Sequence, residues 1–182
     1  TNNQVAPDGT TTASLFTVTT TNAGHFLTRT WQNGGGAVPY PQPTYSVFVK
    51  PGTAKKIFIL DSHINNTPTL VRQNRAAFDF TGSTPVVVAS QGGSRPDSVA
   101  TCQSVGNGWY RISLASGSTA FQPHTLYIGV YNTLPAGFET DGSLIEISDF
   151  DYAGTGETVA FWGVQREQPR MDPPVPVSSY IP

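Results

Sequence analysis

The stretch VATCQSVGNGWYRISLA, residues 99–115, decides the fold because two alternating segments flank the turn sequence Gly106-Asn107-Gly108. Glycine and asparagine tolerate the positive φ values that tight hairpin turns require. Alternation of apolar and polar side chains is the pattern of a strand that buries one face. The stretch therefore predicts a β-hairpin whose second strand places three side chains on the core face: Tyr110, Ile112 and Leu114.

Strand-like segments continue outward from this hairpin in both directions. Val, Ile, Thr, Tyr, Phe and Trp together supply 67 of the 182 residues, and Gly or Pro recurs about every dozen positions. Nine further segments have this character: SLFTV from Ser14, HFLTRTW from His25, TYSVFVK from Thr44, KKIFILDSH from Lys55, AAFDF from Ala76, VVVAS from Val86, HTLYIGVYN from His124, LIEISDF from Leu144 and ETVAFWGVQRE from Glu157. Eleven short strands predict an all-β protein, an antiparallel β-sandwich of the jelly-roll kind.

The length of the chain fits one domain. We expect residues 1–167 to form a single β-sandwich domain and the Pro-rich residues 168–182 to form an extended C-terminal tail. One segment, LVRQNRAA from Leu70, is also compatible with one or two helical turns. In AFWGVQRE, Gly163 in mid-strand predicts a bulge, with Trp162 in the core and Gln165 on the opposite face.

Charge is scarce, and this narrows the range of partners. Only 12% of residues are charged, the net charge is −2, and Thr (23) and Ser (15) supply most polar groups. Three lysines are too few for binding to a phosphate backbone, so nucleic acid is not expected as a partner. No apolar run is long enough for membrane insertion. The single cysteine, Cys102, excludes an internal disulfide and indicates a small buried residue.

Catalytic and metal motifs are sparse. The three histidines are far apart, and the sequence has no HExxH, no GxSxG elbow, no P-loop and no dinucleotide fingerprint. Asp149 and Asp151 lie two apart, so on a strand their carboxylates would share one face and offer a weak calcium site. The alternative is a solvated turn at a strand end. We therefore expect no enzyme, no cofactor and no dedicated metal site.

Outward aromatic side chains suggest a binding face. Alternation places Trp109 and Arg111 opposite the core in WYRISLA, and Tyr127 and Tyr131 outward in HTLYIGVYN. Flat aromatic rings stack on the apolar face of a sugar while neighbouring polar groups bind its hydroxyls. These four residues are the candidate ligand platform, unless loops or a second subunit cover them. Two weaker candidates stand at the ends of the glycine-rich loop: Trp31 and Tyr40.

Several motifs occur in a fixed order along almost the whole chain. They are NQVAPDGTTTA (3–13), TYSVFVKPG (44–52), AFDFTG (77–82), GNGWYRISL (106–114), YAGTGETVAFWGVQRE (152–167) and SSYIP (178–182). This order resembles the module of bacteriophage head-spike, tail-fibre and related virion appendage proteins, which is similar to jelly-roll carbohydrate-binding modules. The segments 33–43, 133–147 and 169–176 differ from the pattern, so the resemblance implies no ligand there.

The resemblance implies a non-catalytic role in host attachment or particle decoration, at the virion surface and outside the cell. The expected partners are a cell-surface polysaccharide, other virion proteins and further copies of the chain, with a trimer as one possible oligomer. Two alternatives stay open: a purely structural virion assembly or decoration domain without a glycan ligand, and a carbohydrate-binding accessory module of a polysaccharide-degrading enzyme.

Overall fold

The computed structural model describes residues 2–31, 43–64, 71–92, 98–115, 124–140 and 143–167. These ranges contain eleven strands: β1 Asn2–Gln4, β2 Ala13–Thr17, β3 His25–Trp31, β4 Thr44–Pro51, β5 Lys56–Ile64, β6 Val71–Asp79, β7 Val86–Gly92, β8 Val99–Gly106, β9 Trp109–Ala115, β10 His124–Val130 and β11 Thr158–Glu167. A short 3₁₀ helix, Ile147–Phe150, precedes β11. None of the described helical segments is long and apolar enough to span a membrane.

The strands form two antiparallel sheets that pack face to face. One sheet has six strands in the order β1-β2-β11-β4-β9-β8, and the other has five in the order β3-β10-β5-β6-β7. The pairs are nested along the chain, since β5 pairs with β6, β4 with β9, β3 with β10 and β2 with β11. This nesting is a long double strand rolled into a sandwich, the jelly-roll arrangement, with β7 and β8 added at one side. The predicted antiparallel β-sandwich is confirmed.

The main core lies between the sheets and follows the predicted alternation. Ile112 and Leu114 of β9 are fully buried there, and Tyr110 packs against their cluster. They meet the inward apolar side chains of β5 and β6, among them Ile59 and Phe78. Period-two alternation on both sheets produces one continuous apolar layer, and this layer stabilises the sandwich.

The hairpin between β8 and β9 has the turn that its sequence predicts. Asn107 has φ +53° and Gly108 has φ +77°, so both central residues are in the left-handed region. Two successive positive φ values match the twist of the flanking strands. The register runs from Gly106 opposite Trp109 to Val99 opposite Ala115. The local sequence alone therefore determines this hairpin.

Polar groups are also buried between the sheets, near the end of the sandwich where β5 ends. Tyr45 of β4 donates its hydroxyl hydrogen to Oδ1 of Asp61 on β5 at 3.1 Å, and both side chains are fully buried. Burial, followed by the negative charge of Asp61, raises the pKa of Tyr45 well above its usual value. The phenol therefore stays protonated and remains a hydrogen-bond donor across the sheets.

Both outer faces of the sandwich are partly covered by the chain's own connections. On the five-stranded sheet, Phe58 and Leu60 belong to a second buried cluster with Phe138 and Phe150 of the β10–β11 connection. The rings of Phe58 and Phe150 stack with centroids 4.0 Å apart. On the six-stranded sheet, a third cluster lies under the N-terminal segment and contains Ala6, Ala13, Phe48, Trp109 and Ala160.

Two segments differ from the sequence predictions. LIEISDF forms no strand, because its end turns into the 3₁₀ helix in which Asp149 accepts a hydrogen bond from the Glu146 N–H at 2.9 Å. LVRQNRAA is not helical, because Val71–Asp79 pairs with strands on both sides. The expected tail, 168–182, lies outside the described residues.

The predicted bulge in β11 is confirmed, but its effect on the neighbouring side chains differs from the prediction. Register with β4 shifts between Trp162 and Gln165, and Gly163 has φ +61°. The extra residue reverses the alternation, so Trp162 and Gln165 face the same side of the sheet. The prediction that they lie on opposite faces, with Trp162 in the inter-sheet core, is wrong: Trp162 packs in the outer cluster with Phe48.

The buried position of Trp109 gives a stability prediction. Its side chain is 2% exposed, and its Nε1 donates to the Val5 carbonyl at 3.2 Å. Replacing Trp109 by Ala should lower the free energy of unfolding by about 3–5 kcal/mol, since a large cavity replaces the indole. Urea denaturation measures the change. The control is Gln103→Ala, an exposed site on β8, which should stay within about 0.5 kcal/mol of the wild type.

Candidate functional site

The four residues predicted to form one ligand platform lie on two different sheets. Trp109 and Arg111 belong to β9 of the six-stranded sheet, whereas Tyr127 belongs to β10 of the five-stranded sheet and Tyr131 follows it directly. Trp109 is also covered by the N-terminal segment. The prediction that the four share one exposed face is therefore wrong. Alternation assigned each side chain to an outer face correctly, but it could not show which sheet each strand joins.

Arg111 is held in place by its neighbours on the outer face of the six-stranded sheet. One terminal nitrogen donates to Ser46 Oγ at 3.2 Å and to Gln165 Oε1 at 3.1 Å, and it lies 3.6 Å from a carboxylate oxygen of Glu167. The guanidinium also lies over the ring of Phe48, 5.7 Å from its centroid. These partners hold the partly exposed guanidinium of Arg111 in place. They give the arginine of the WYR segment a structural role on this face of the sheet.

Tyr127 of β10 and Tyr131, which follows that strand, are largely occupied by packing. The ring of Tyr127 meets Phe26 edge to face with centroids 5.2 Å apart, and Tyr131 is 7% exposed within the second cluster. Trp31 ends β3, but its side chain lies outside the described part of the structure, as does all of Tyr40. Among the four residues of the predicted aromatic platform, Tyr131 also lines a cavity.

Two adjoining cavities open at the end of the sandwich where β4 turns into β5. One has a volume of about 200 Å³ and is lined by Thr53, Ala54, Lys55, Lys56, Thr81, Val130, Tyr131, Asn132, Tyr152 and Glu157. The other has a volume of about 310 Å³ and is lined by Asn132, Thr133, Leu134, Pro135, Asp149, Phe150, Asp151 and Tyr152. Because Asn132 and Tyr152 line both, we describe the two cavities together as the tyrosine cleft.

Tyr152 lies at the boundary between the two cavities and is held by its backbone. It forms an isolated β-bridge with Ala23, and its carbonyl is 2.9 Å from Nε2 of His25. The phenol ring meets the imidazole edge to face with centroids 4.9 Å apart and packs against the main core, while the residue as a whole is partly exposed. Burial, followed by the charge of Glu157, raises the pKa of Tyr152 to about 12. The hydroxyl is thus a neutral donor at physiological pH.

The smaller cavity has a basic wall. Lys56 donates its ammonium hydrogen to the Asn132 carbonyl at 3.0 Å and lies 6.0 Å from the centroid of the Tyr131 ring. Lys55 precedes it at the end of the β4–β5 turn, which is held by the Gly52 N–H donating to the Thr158 carbonyl at 3.1 Å. Burial raises the pKa of Tyr131, so this phenol also remains protonated.

The larger cavity has an acidic wall. Asp149 and Asp151 both line it, but they stand in and just after the 3₁₀ helix and not on a strand. The prediction that they share one strand face is therefore wrong. Asp149 is engaged in capping the helix through Glu146. Among the described residues, no cluster of three or more His, Cys, Asp or Glu side chains could hold a metal ion.

Arg75 holds the β10–β11 connection that carries half of the cleft. Its side chain is fully buried, and its guanidinium donates to four main-chain carbonyls at 2.7–3.0 Å: those of Phe138, Ser143, Gly137 and Thr140. Beside it, Gln73 donates to the Ile145 carbonyl at 2.6 Å and accepts from the Ile145 N–H at 2.8 Å. Gln73 and Arg75 belong to the segment LVRQNRAA, whose sequence is also compatible with a helix. In the structure their side chains bind the β10–β11 connection.

The cleft offers hydrogen bonds and one partly exposed ring. Its walls combine ammonium and hydroxyl donors with carboxylate and amide acceptors, and no lining residue is a cysteine or histidine. Such a set suits a polyhydroxylated ligand, because sugar hydroxyls both donate and accept. Sequence reasoning missed Tyr152, Asn132 and both lysines of the cleft. The available signal was that two of the three lysines of the chain are adjacent.

No protein-family model matches the chain, and no curated protein matches it with significance. The functional interpretation therefore depends on the chemistry of the cleft and on the motif order described above.

The role of Arg75 gives a prediction about the cleft. Replacing it by Met should leave four carbonyls without their donor and lower the free energy of unfolding by at least about 1.5–3 kcal/mol. Amide hydrogen exchange should accelerate first in residues 137–140 and 143–145. The matched control is Arg29→Met at an exposed site of β3. Equal exchange in the two variants would contradict the anchoring role.

Two partly exposed acidic residues near the cleft, Asp79 and Glu157, give a pH prediction. The hydroxyl and N–H of Thr81 hold the pKa of Asp79 below its ordinary value of 3.8, and the Thr155 N–H holds the pKa of Glu157 below 4.5. Because both pKa values are lower in the folded chain than in the unfolded chain, the unfolded chain takes up protons at a higher pH. The contribution of these two carboxylates to the free energy of unfolding is therefore present above pH 4.5 and lost below it. Urea midpoints measured between pH 6 and pH 2.5 should fall less steeply for Asp79→Asn than for the wild type, and a Glu139→Gln control should follow the wild type.

Proposed function

We propose that the protein is a non-catalytic glycan-binding domain and that the tyrosine cleft is its binding site. The observation that carries the proposal is the position of Tyr152, a partly exposed aromatic residue that lines both of two cavities surrounded by hydrogen-bonding groups. An aromatic face supplies stacking to the C–H face of a sugar, and the surrounding polar atoms supply direction. The charge-poor, Thr- and Ser-rich composition supports a ligand of the same neutral, hydroxyl-rich chemistry.

The rigidity of the cleft also supports binding. The Lys56 ammonium holds the main-chain carbonyl of Asn132, a β-bridge to Ala23 holds the backbone of Tyr152, and Arg75 holds the β10–β11 connection. Groups already held in place lose little conformational entropy when a ligand binds. A preformed cleft of polar atoms is therefore suited to a weak ligand such as a single sugar unit.

The biological setting that we propose comes from the motif order. The resemblance to bacteriophage head-spike and tail-fibre modules supports a place on the virion surface, outside the cell, where the domain attaches the particle to host polysaccharide or decorates it. Ring stacking contributes about 1 kcal/mol, and so does each hydrogen bond that replaces a hydrogen bond to water. One cleft should therefore bind in the millimolar to micromolar range. A homo-oligomer, such as a trimer, joined to other virion proteins would raise the strength through many copies.

A second candidate function is structural assembly within the particle. Four valines on the two edge strands β7 and β8 are exposed: Val86, Val87, Val99 and Val105. Exposed apolar side chains on sheet edges favour contact with a neighbouring subunit. Sedimentation of the wild type and of a Val87→Lys, Val105→Lys double variant tests this role. Assembly that the lysines abolish, with no glycan bound by either protein, would favour it over the cleft.

The glycan function is tested on a glycan microarray and on host cells. Asn132→Ala should weaken binding about fivefold, because the exposed amide is lost while its carbonyl still accepts from Lys56. Tyr152→Leu should weaken it at least tenfold by removing both the ring and the hydroxyl. Thermal melting checks that each variant is folded.

The control variants are Gln103→Ala and Arg111→Gln, both on the six-stranded sheet and away from the cleft. Both should bind as the wild type does. Loss of binding in Arg111→Gln with full binding in Asn132→Ala would move the site to the outer face of that sheet. A wild-type protein that binds no glycan on the array and no host cell would refute the function.

A further inference from the structure

We propose that the basic cavity of the tyrosine cleft selects a sugar that carries a carboxylate, with Lys55 as the residue that recognises the acid. The inference rests on the proposed glycan function and names the class of ligand within it. Its starting point is the distribution of charge: the chain has three lysines, and two of them line this one cavity of about 200 Å³. Only 12% of the residues of the protein are charged, so two lysines at one cavity form a local concentration of positive charge.

The two lysines have different surroundings. Lys56 is engaged, since its ammonium donates to the Asn132 carbonyl at 3.0 Å and its strand position is directly opposite Asp79. Lys55 is exposed, and among the described residues no carboxylate forms an ion pair with it. Lys55 is therefore the cation of the cavity that is available to a ligand.

The carboxylates near this cavity are already used by the protein. Glu157 accepts the Thr155 N–H at 2.6 Å, and Asp79 accepts both the N–H and the hydroxyl hydrogen of Thr81 at 2.8 and 2.7 Å. Only Glu157 of these two lines the cavity, so its lining carries two ammonium groups against one carboxylate. The remaining positive charge lies at Lys55.

Several neutral groups of the same cavity can donate hydrogen bonds. The phenols of Tyr131 and Tyr152 stay protonated, and the hydroxyl of Thr53 accepts the Thr158 N–H at 2.9 Å, which leaves its hydrogen free to donate. A carboxylate is an acceptor with about four lone-pair sites and is the matching partner for several donors around one cation. A neutral sugar hydroxyl in this place could accept a hydrogen bond from Lys55 but would supply no negative charge to pair with its ammonium.

The second cavity determines which way round the ligand lies in the cleft. Its acidic wall, with Asp149 and Asp151, repels a second carboxylate but accepts hydrogen bonds from neutral hydroxyls. The cleft therefore suits a glycan in which an acidic sugar enters the Lys55 cavity and a neutral sugar lies beyond Tyr152.

The test uses the full chain and three probes: methyl glucuronide, the neutral methyl glucoside and inorganic phosphate. Binding is measured by titration calorimetry and by amide chemical shifts at low salt and in 0.5 M NaCl. The glucuronide should bind about fivefold more tightly than the glucoside, and salt should reduce that difference. Lys55→Met should remove the preference, so that the variant binds the glucuronide no more tightly than the glucoside.

The third lysine provides a matched control. Lys50→Met removes the same charge on β4, outside both cavities, and should keep the preference for the glucuronide. Equal binding of the two glycosides, or a preference that survives Lys55→Met, would overturn the inference while the glycan function stands. Phosphate that binds as tightly as the glucuronide would show an anion site without sugar recognition and would also overturn it. Failure of every probe, together with an empty glycan array, would refute the proposed function itself.

Discussion

A single buried guanidinium organises the β10–β11 connection, which lines part of the tyrosine cleft. Arg75 projects from the outer face of the five-stranded sheet and binds four carbonyls of the β10–β11 connection, so a long loop acquires one position. The group has five donors in a planar fork and cannot be deprotonated, so it can satisfy several main-chain acceptors at once. Phe138 and Phe150 then close over Phe58, and the apolar cluster excludes water from these hydrogen bonds.

The nested pairing of strands explains why the cleft lies where it does. Antiparallel pairs bring the β4–β5 turn, the β6–β7 turn and the end of β10 to the same end of the sandwich. The residues that line the smaller cavity come from these three places and from Tyr152 and Glu157, which are far from them in the sequence. The rigid double sheet carries these loops at one end. In many proteins, loops held by such a scaffold carry the residues that bind ligands.

The scarcity of charge gives the few charged groups separate tasks. Arg75 organises a loop, Arg111 orders the outer face of the six-stranded sheet, and Asp79 and Glu157 fix turns through backbone N–H groups. Each of these groups has a geometric partner in the protein. The tyrosine cleft differs, because an exposed lysine and partly exposed donors line a cavity there, and this difference is the reason for proposing it as the ligand site.

The sequence by itself determined the β-sandwich, the face of each residue in WYRISLA, the Asn107-Gly108 turn and the bulge at Gly163, because these depend on alternation and on local φ preferences. Only the tertiary structure decided which strands share a sheet, and this separated Trp109 from Tyr127. It also decided the strand state of Gln73 and Arg75, whose side chains bind a loop more than 60 residues away. Local sequence patterns do not show which distant residues will come into contact, so the cleft that these residues form could not be predicted.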